Sequence, residues 1–183
     1  MEFTEKRFAH LPARESHFKE PPYPKSKKIE KKETDVYIDI EDKDPLWLKD
    51  KGDHFYKRND FHSAMNAYCK SIENDKEFLM SRLNRATTFL RMRSFPATVD
   101  ECNDIERIVD KLPPKELESD KNYYDKIMGR ALLRRGAAQA WLSQYDSAID
   151  DLEKCLCYNG VFLESEYLAV KRDIDAIKRR KES

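Results

Sequence analysis

Glycine is scarce, with four in 183 residues. Tight hairpins and phosphate-cradling loops lean on a residue that accepts positive φ, so this scarcity argues against all-β folds and nucleotide-binding α/β folds. A net charge is missing too: 35 Lys and Arg stand against 35 Asp and Glu. Without one-sided basic charge, the chain does not read as a dedicated nucleic-acid or membrane-surface binder. No apolar run approaches the ~18 residues of a membrane helix. The start, Met1-Glu2-Phe3-Thr4-Glu5, lacks the basic-then-apolar order of a signal peptide. Histidine occurs only at His10, His17, His54 and His62, and no HExxH or GxSxG string exists. A catalytic histidine set would have to draw on the early part of the chain, so the expectation is no enzyme and no catalytic residues. Cys69, Cys102, Cys155 and Cys157 form no CxxC pair. They read as free, mostly buried thiols in a reducing cytosol, with no metal or other cofactor implied.

Residues 1–44 differ from the rest. Pro12, Pro21, Pro22 and Pro24 break any helix, and residues 25–33 are a charge run with one apolar member, Ile29. Such a segment cannot bury enough surface to offset its ordering entropy, so it reads as a mostly disordered linker. Val36-Tyr37-Ile38-Asp39-Ile40 alternates weakly and suits an extended strand. The lysine cluster reads as solvated rather than nucleic-acid-binding, because acidic Glu41, Asp42 and Asp44 follow closely.

From Pro45 the pattern turns helical and repeats. Gly52, Phe55, Phe61, Ala64, Tyr68 and Ser71 alternate small and large residues. A shift of 34 residues places Ala86 on Gly52, Phe89 on Phe55, Phe95 on Phe61, Cys102 on Tyr68 and Ile105 on Ser71. The pattern returns around Gly136, with Tyr145, Ala148, Leu152 and Cys155, after an insertion of 16 residues that falls where Leu112-Pro113-Pro114-Lys115 supplies a loop. These are helical hairpins. A small residue in the first helix lets the second approach, and aromatics fill the groove between them. Stacking three hairpins buries a continuous core and leaves a concave wall of first helices. The expected organisation is a linker over 1–44, repeats near 45–78, 79–112 and 123–160, and a capping helix with a basic tail over 161–183. In the cap, Tyr167, Leu168, Val170, Ile174 and Ile177 mark an apolar face. Three positions break the pattern: Arg82 and Gln139 where apolar residues are usual, and Thr98 where the crossing alanine is expected.

The strings LKDKGD, LNRATTFL and GRALLRRGAAQ resemble the tetratricopeptide-repeat (TPR) domains of the carboxylate-clamp type. The resemblance covers about 45–160 and implies an all-α TPR helical-hairpin solenoid. It further implies a groove that binds the acidic C-terminal tail of the cytosolic chaperones Hsp90 and Hsp70. Its clamp falls on Lys49, Asp53, Asn84, Arg130 and Arg134. The physical case runs parallel. Several cations and an amide around a hollow can satisfy two carboxylates through charge-assisted hydrogen bonds. Arg130 and Arg134, four apart, project from one helix face. Asp53 stands where the clamp carries asparagine. A carboxylate ~6 Å from a ligand carboxylate costs about 3 kcal/mol at an effective dielectric near 20 and under 1 in water. One helical turn from Lys49, Asp53 is also placed to neutralise it, so weakened or altered tail binding is expected. The string from Pro45 to Gly52, the Arg134-Arg135-Gly136 turn and the upstream Leu11-Pro12-Ala13-Arg14-Glu15-Ser16 are similar to the dynein axonemal assembly factor 4 family. In that family a CS domain precedes this linker, and no such β-sandwich fits in 44 residues, so the resemblance implies a truncated form, a fragment or a divergent member. It implies a cytoplasmic co-chaperone, with nuclear or ciliary sites as further options, that helps preassemble axonemal dynein arms. Its partners would be the chaperone tails, other assembly factors and dynein chains, with no nucleic acid or membrane. The competing reading is a generic TPR scaffold for an unrelated peptide or helix.

Overall fold

The computed structural model describes residues 44–158 and 160–182. The strand expectation at 36–40 and nearly all of the linker lie outside them. Eight helices are described: α1 (Pro45–Lys57), α2 (Phe61–Asn74), α3 (Leu79–Arg91), α4 (Phe95–Val109), α5 (Pro114–Ser119), α6 (Lys121–Trp141), α7 (Tyr145–Cys155) and α8 (Glu164–Glu182). α1/α2, α3/α4 and α6/α7 are the three hairpins, and α8 packs on α7. Asp44 caps α1 by accepting from the Leu46 N–H at 2.9 Å, and Pro45 opens the helix with its φ already set.

Each hairpin turns through one residue in the left-handed region: Asn59, Arg93 and Ser143, all with φ near +60°. Around Asn59, its N–H bonds the Tyr56 carbonyl and the Asp60 N–H bonds the Phe55 carbonyl. The same two bonds recur around Arg93 and Ser143, satisfying orphan helix-end carbonyls each time. None of the three is glycine, so each holds a conformation that costs an L-residue about 1–2 kcal/mol.

The seam inside each hairpin depends on a size match. A Cβ on Gly52 would sit 2.4 Å from Tyr68 Cε1, and one on Gly136 would sit 2.8 Å from Leu152 Cγ. Where the first helix carries Ala86, the facing residue is the smaller Cys102, and both are buried. Thr98 is fully buried and bonds back to the Ser94 carbonyl at 3.0 Å, so a hydroxyl-bearing residue fills the crossing. Arg82 reaches Glu101 at 3.2 Å, which explains a charge at an expected apolar position. Gln139 is buried with its Oε1 unpartnered among the described residues.

Two expectations need correction. The loop expected at Leu112-Pro113-Pro114-Lys115 extends only as far as Pro113. Pro114 starts α5, and α6 runs 21 residues against 13 in α1 and in α3, so its first turns lie ahead of the repeat proper. Leu117, Tyr123 and Tyr124 from this region pack on the core formed by Leu79, Leu83, Ile105, Ile127 and their neighbours. Burial of that added surface holds the insertion in helical form. In the cap, Val170 and Ile174 are buried against Leu132, Leu152 and Cys155, but Leu168 is exposed. The apolar stripe of α8 is therefore narrower than its sequence suggests.

Candidate functional site

The first helices α1, α3 and α6 carry all five expected clamp residues. At one end, Lys49 and Asp53 lie a turn apart on α1 and pair at 3.0 Å. Asp50 also takes Lys49, at 2.6 Å. Burial pulls the Lys49 ammonium down, but bonds and charge from Asp50 and Asp53 outweigh it and leave its pKa raised. The other Asp53 oxygen accepts from the Tyr68 hydroxyl at 2.6 Å and from Asn84 Nδ2 at 2.7 Å. Burial, then this bond to Asp53, holds the Tyr68 phenol far above its ordinary range. Lys49, Asp53, Tyr68 and Asn84 thus form one closed network. A small open pocket beside it is lined by Asp53, Tyr56, Tyr68, Asn84 and Thr87.

Arg134 reaches this wall from α6. Its Nε donates to Thr87 Oγ1 at 2.5 Å and one terminal nitrogen donates to the Arg130 carbonyl at 2.8 Å. Thr87 itself donates to the Leu83 carbonyl, which aims its lone pairs at the arginine. No carboxylate pairs with Arg134 among the described residues. Burial pulls its pKa down to about 10, with the Arg130 charge adding to the effect. The group stays cationic at neutral pH, but its charge is uncompensated.

Arg130 is turned elsewhere. Its two terminal nitrogens meet the two Glu166 oxygens of α8 at 2.9 and 3.2 Å. One of them also reaches the Val161 carbonyl at 3.3 Å, and the guanidinium lies 5.0 Å from the Phe162 ring centre. The Arg130 bond, then the Leu163 N–H, hold the Glu166 carboxyl below the ordinary range. The structure therefore joins Lys49, Asp53 and Asn84, sets Arg134 beside them through Thr87, and separates Arg130. Sequence reasoning missed Tyr56, Thr87 and Glu166. Tyr56 and Thr87 each lie three residues after an expected clamp residue, on the same helix face, and that spacing was readable. Glu166 carried no such signal. Among the described residues, no group of three or more His, Cys, Asp and Glu side chains is placed to hold a metal. No helix there is long and apolar enough to cross a membrane.

No family model matches the chain. It is 33% identical over 113 residues to the Hsp70-Hsp90 organizing protein of Triticum aestivum, covering 59% of this chain and 18% of that protein. It is 27% identical over 116 residues to dynein axonemal assembly factor 4 of Pongo pygmaeus, covering 63% of this chain and 26% of that one. The chain thus spans about a quarter or less of these relatives' length. Among solved structures, the first TPR domain of Spaghetti, bound to an HSP90 peptide of sequence SRMEEVD, superposes with a TM-score of 0.60 at 22% identity, covering 78% of this chain and 96% of that domain. The TPR2B domain of yeast Sti1, in complex with an Hsp70 peptide, gives 0.53 at 22% identity, covering 75% and 95%. The hairpins, their left-handed turns and these superpositions agree: the chain folds as an all-α tetratricopeptide-repeat solenoid similar to those of TPR co-chaperones.

Proposed function

We propose that the chain is a non-catalytic co-chaperone adaptor whose groove captures the acidic C-terminal tail of Hsp90 or Hsp70. The carrying observation is Arg134: a partly buried guanidinium on the groove wall, bonded to a hydroxyl and a carbonyl but to no carboxylate among the described residues. Buried charge without a counter-charge is expensive, and an anionic chain end would supply what the fold leaves out. Likeness to chaperone organizers and to domains solved with such peptides supports the same ligand class. Likeness to dynein axonemal assembly factor 4 supports a finer role, cytoplasmic preassembly of dynein arms with dynein chains as clients.

The test is titration with a labelled peptide ending Glu-Glu-Val-Asp. Expected are binding that weakens with salt and a loss of about tenfold or more in Arg134→Ala, the worth of one or two charged hydrogen bonds. Equal affinity for the C-terminally amidated peptide overturns the reading. For the finer role, dynein heavy chains should co-purify from ciliated cells, and their absence beside recovered chaperone refutes it. A second reading, a scaffold for an unrelated peptide or helix, draws support from Asp53 occupying Lys49 and Asn84. It predicts ligand binding indifferent to Arg134→Ala.

A further inference from the structure

Two arginines one turn apart on α6 meet different company. Arg134 has no carboxylate among the described residues, whereas Arg130 is held by both oxygens of Glu166 in the two-pronged arrangement that guanidinium makes with any carboxylate. Glu166 belongs to the first turn of α8, and one of its oxygens also accepts from the Leu163 N–H at 3.0 Å. The preceding segment is seated on α6: a Cβ on Gly129 would meet Val161, Tyr158 and Phe162 within 3.1–3.6 Å. That seating delivers Glu166 to Arg130.

The pair is nonetheless exchangeable. The Arg130 and Glu166 side chains are 35% and 37% exposed, so water and a competing anion can reach both. α8 does not depend on the pair for its place, because Val170 and Ile174 bury against Leu132, Leu152 and Cys155 further along it. Glu166 can therefore let go while the helix stays seated.

We infer that Glu166 is an internal stand-in for a ligand carboxylate, so that α8 competes with an acidic peptide for Arg130. At rest, among the described residues, Arg134 is the clamp cation without a carboxylate. Gripping a second carboxylate requires Glu166 to yield. This inference rests on the tail-capture reading and adds to it a built-in competitor that sets affinity and favours ligands with two carboxylates.

Glu166→Gln tests it, since glutamine keeps an oxygen for the Leu163 N–H and removes the charge. The peptide ending Glu-Glu-Val-Asp should bind this variant about 2–5-fold tighter, the worth of a half-exposed ion pair. The gain should vanish in an Arg130→Ala background. In the unsubstituted protein, saturation with peptide should shift the Glu166 side-chain carboxyl resonance, a readout that does not depend on how the variant folds. If the peptide binds with Arg134 dependence but that resonance stays still, or the gain survives Arg130→Ala, this inference falls and tail capture stands. If the peptide binds neither protein at millimolar concentration, both fall.

Discussion

Arg135 points into the seam between α4 and α7. There Asp151 takes two of its nitrogens at 2.7 and 2.8 Å, and Asn103 and Glu106 take a third. Arg134, the residue before it, points into the groove and meets a threonine hydroxyl and a carbonyl. The bonds from Asp151, then burial working against them, leave the Arg135 pKa raised, while burial pulls that of Arg134 down to about 10. The contrast separates two uses of one residue type. A guanidinium ringed by carboxylates fastens helices, and its charge is consumed inside the fold. One ringed by neutral acceptors keeps an unmatched charge for something from outside. The seam pattern recurs: Arg85 pairs with Glu101 in the second hairpin at the same spacing of 16 residues that separates Arg135 from Asp151. The first hairpin has Lys51 and Ala67 at those positions, and Lys51 lies 4.5 Å over the Trp47 ring.

Breaking the seam should produce the largest effect. Asp151→Ala leaves Arg135 buried without its two-pronged partner, and loss of one member of a buried pair costs about 3–5 kcal/mol. Glu106 remains within reach, so the lower end is expected in urea denaturation. Arg134→Met, on the groove side, should change stability by less than about 1 kcal/mol or raise it, because it removes a partly buried charge that had no counter-charge. Equal losses in the two variants would erase the distinction between seam and groove.

Tyr68 spans both regions, starting against Gly52 in the seam and ending on Asp53 in the groove. In Gly52→Ala the new methyl would stand 2.4–2.9 Å from three ring carbons, so the ring must shift. Overpacking of this kind costs about 1–3 kcal/mol. Unlike the seam charge variant, it should also disturb Asp53, visible as changed amide shifts at Lys49 and Asn84. A stability loss with those shifts unmoved would show that Tyr68 does not couple the two regions.

The hairpins were legible because their determinants are local and repeated: Gly52, Ala86 and Gly136 recur at one register with a large or matched partner 16 residues on. Lys49, Asp53, Asn84 and Arg134 were legible through the resemblance of their strings to carboxylate-clamp domains, not through the repeat itself, since Lys49 and Asp53 hold other places relative to Gly52 than Asn84 and Arg134 hold relative to Ala86 and Gly136. The charged seams were not read, because Arg85, Glu101, Arg135 and Asp151 look like surface residues in a chain with 70 charges, although their shared spacing repeats. Pro113-Pro114 suggested a loop, but proline fits the first turn of a helix, and α5 starts there. The fate of Arg130 was invisible in principle. Glu166 lies 36 residues away in a different helix, and the packing of Tyr158, Val161 and Phe162 on Gly129 brings it near.

The finest test of the comparison is Asp53→Asn, which makes the closed end of the groove more like the open one. Asparagine retains an acceptor for the Tyr68 hydroxyl and releases Lys49 from its 3.0 Å ion pair. The pair is partly exposed, so its loss should lower stability by less than about 1 kcal/mol. Peptide affinity should move the other way. The full repulsion between two carboxylates ~6 Å apart is about 3 kcal/mol at an effective dielectric near 20, but Lys49 already offsets most of the Asp53 charge. What a ligand feels is closer to a dipole, and the expected gain is about tenfold or less, with a steeper salt dependence because the groove loses one negative charge while Asp50 still holds Lys49 at 2.6 Å. Unchanged affinity together with an unchanged salt slope would mean that Lys49 and Asp53 take no part in recognition, and that Arg134 alone carries the groove's pull on an acidic chain end.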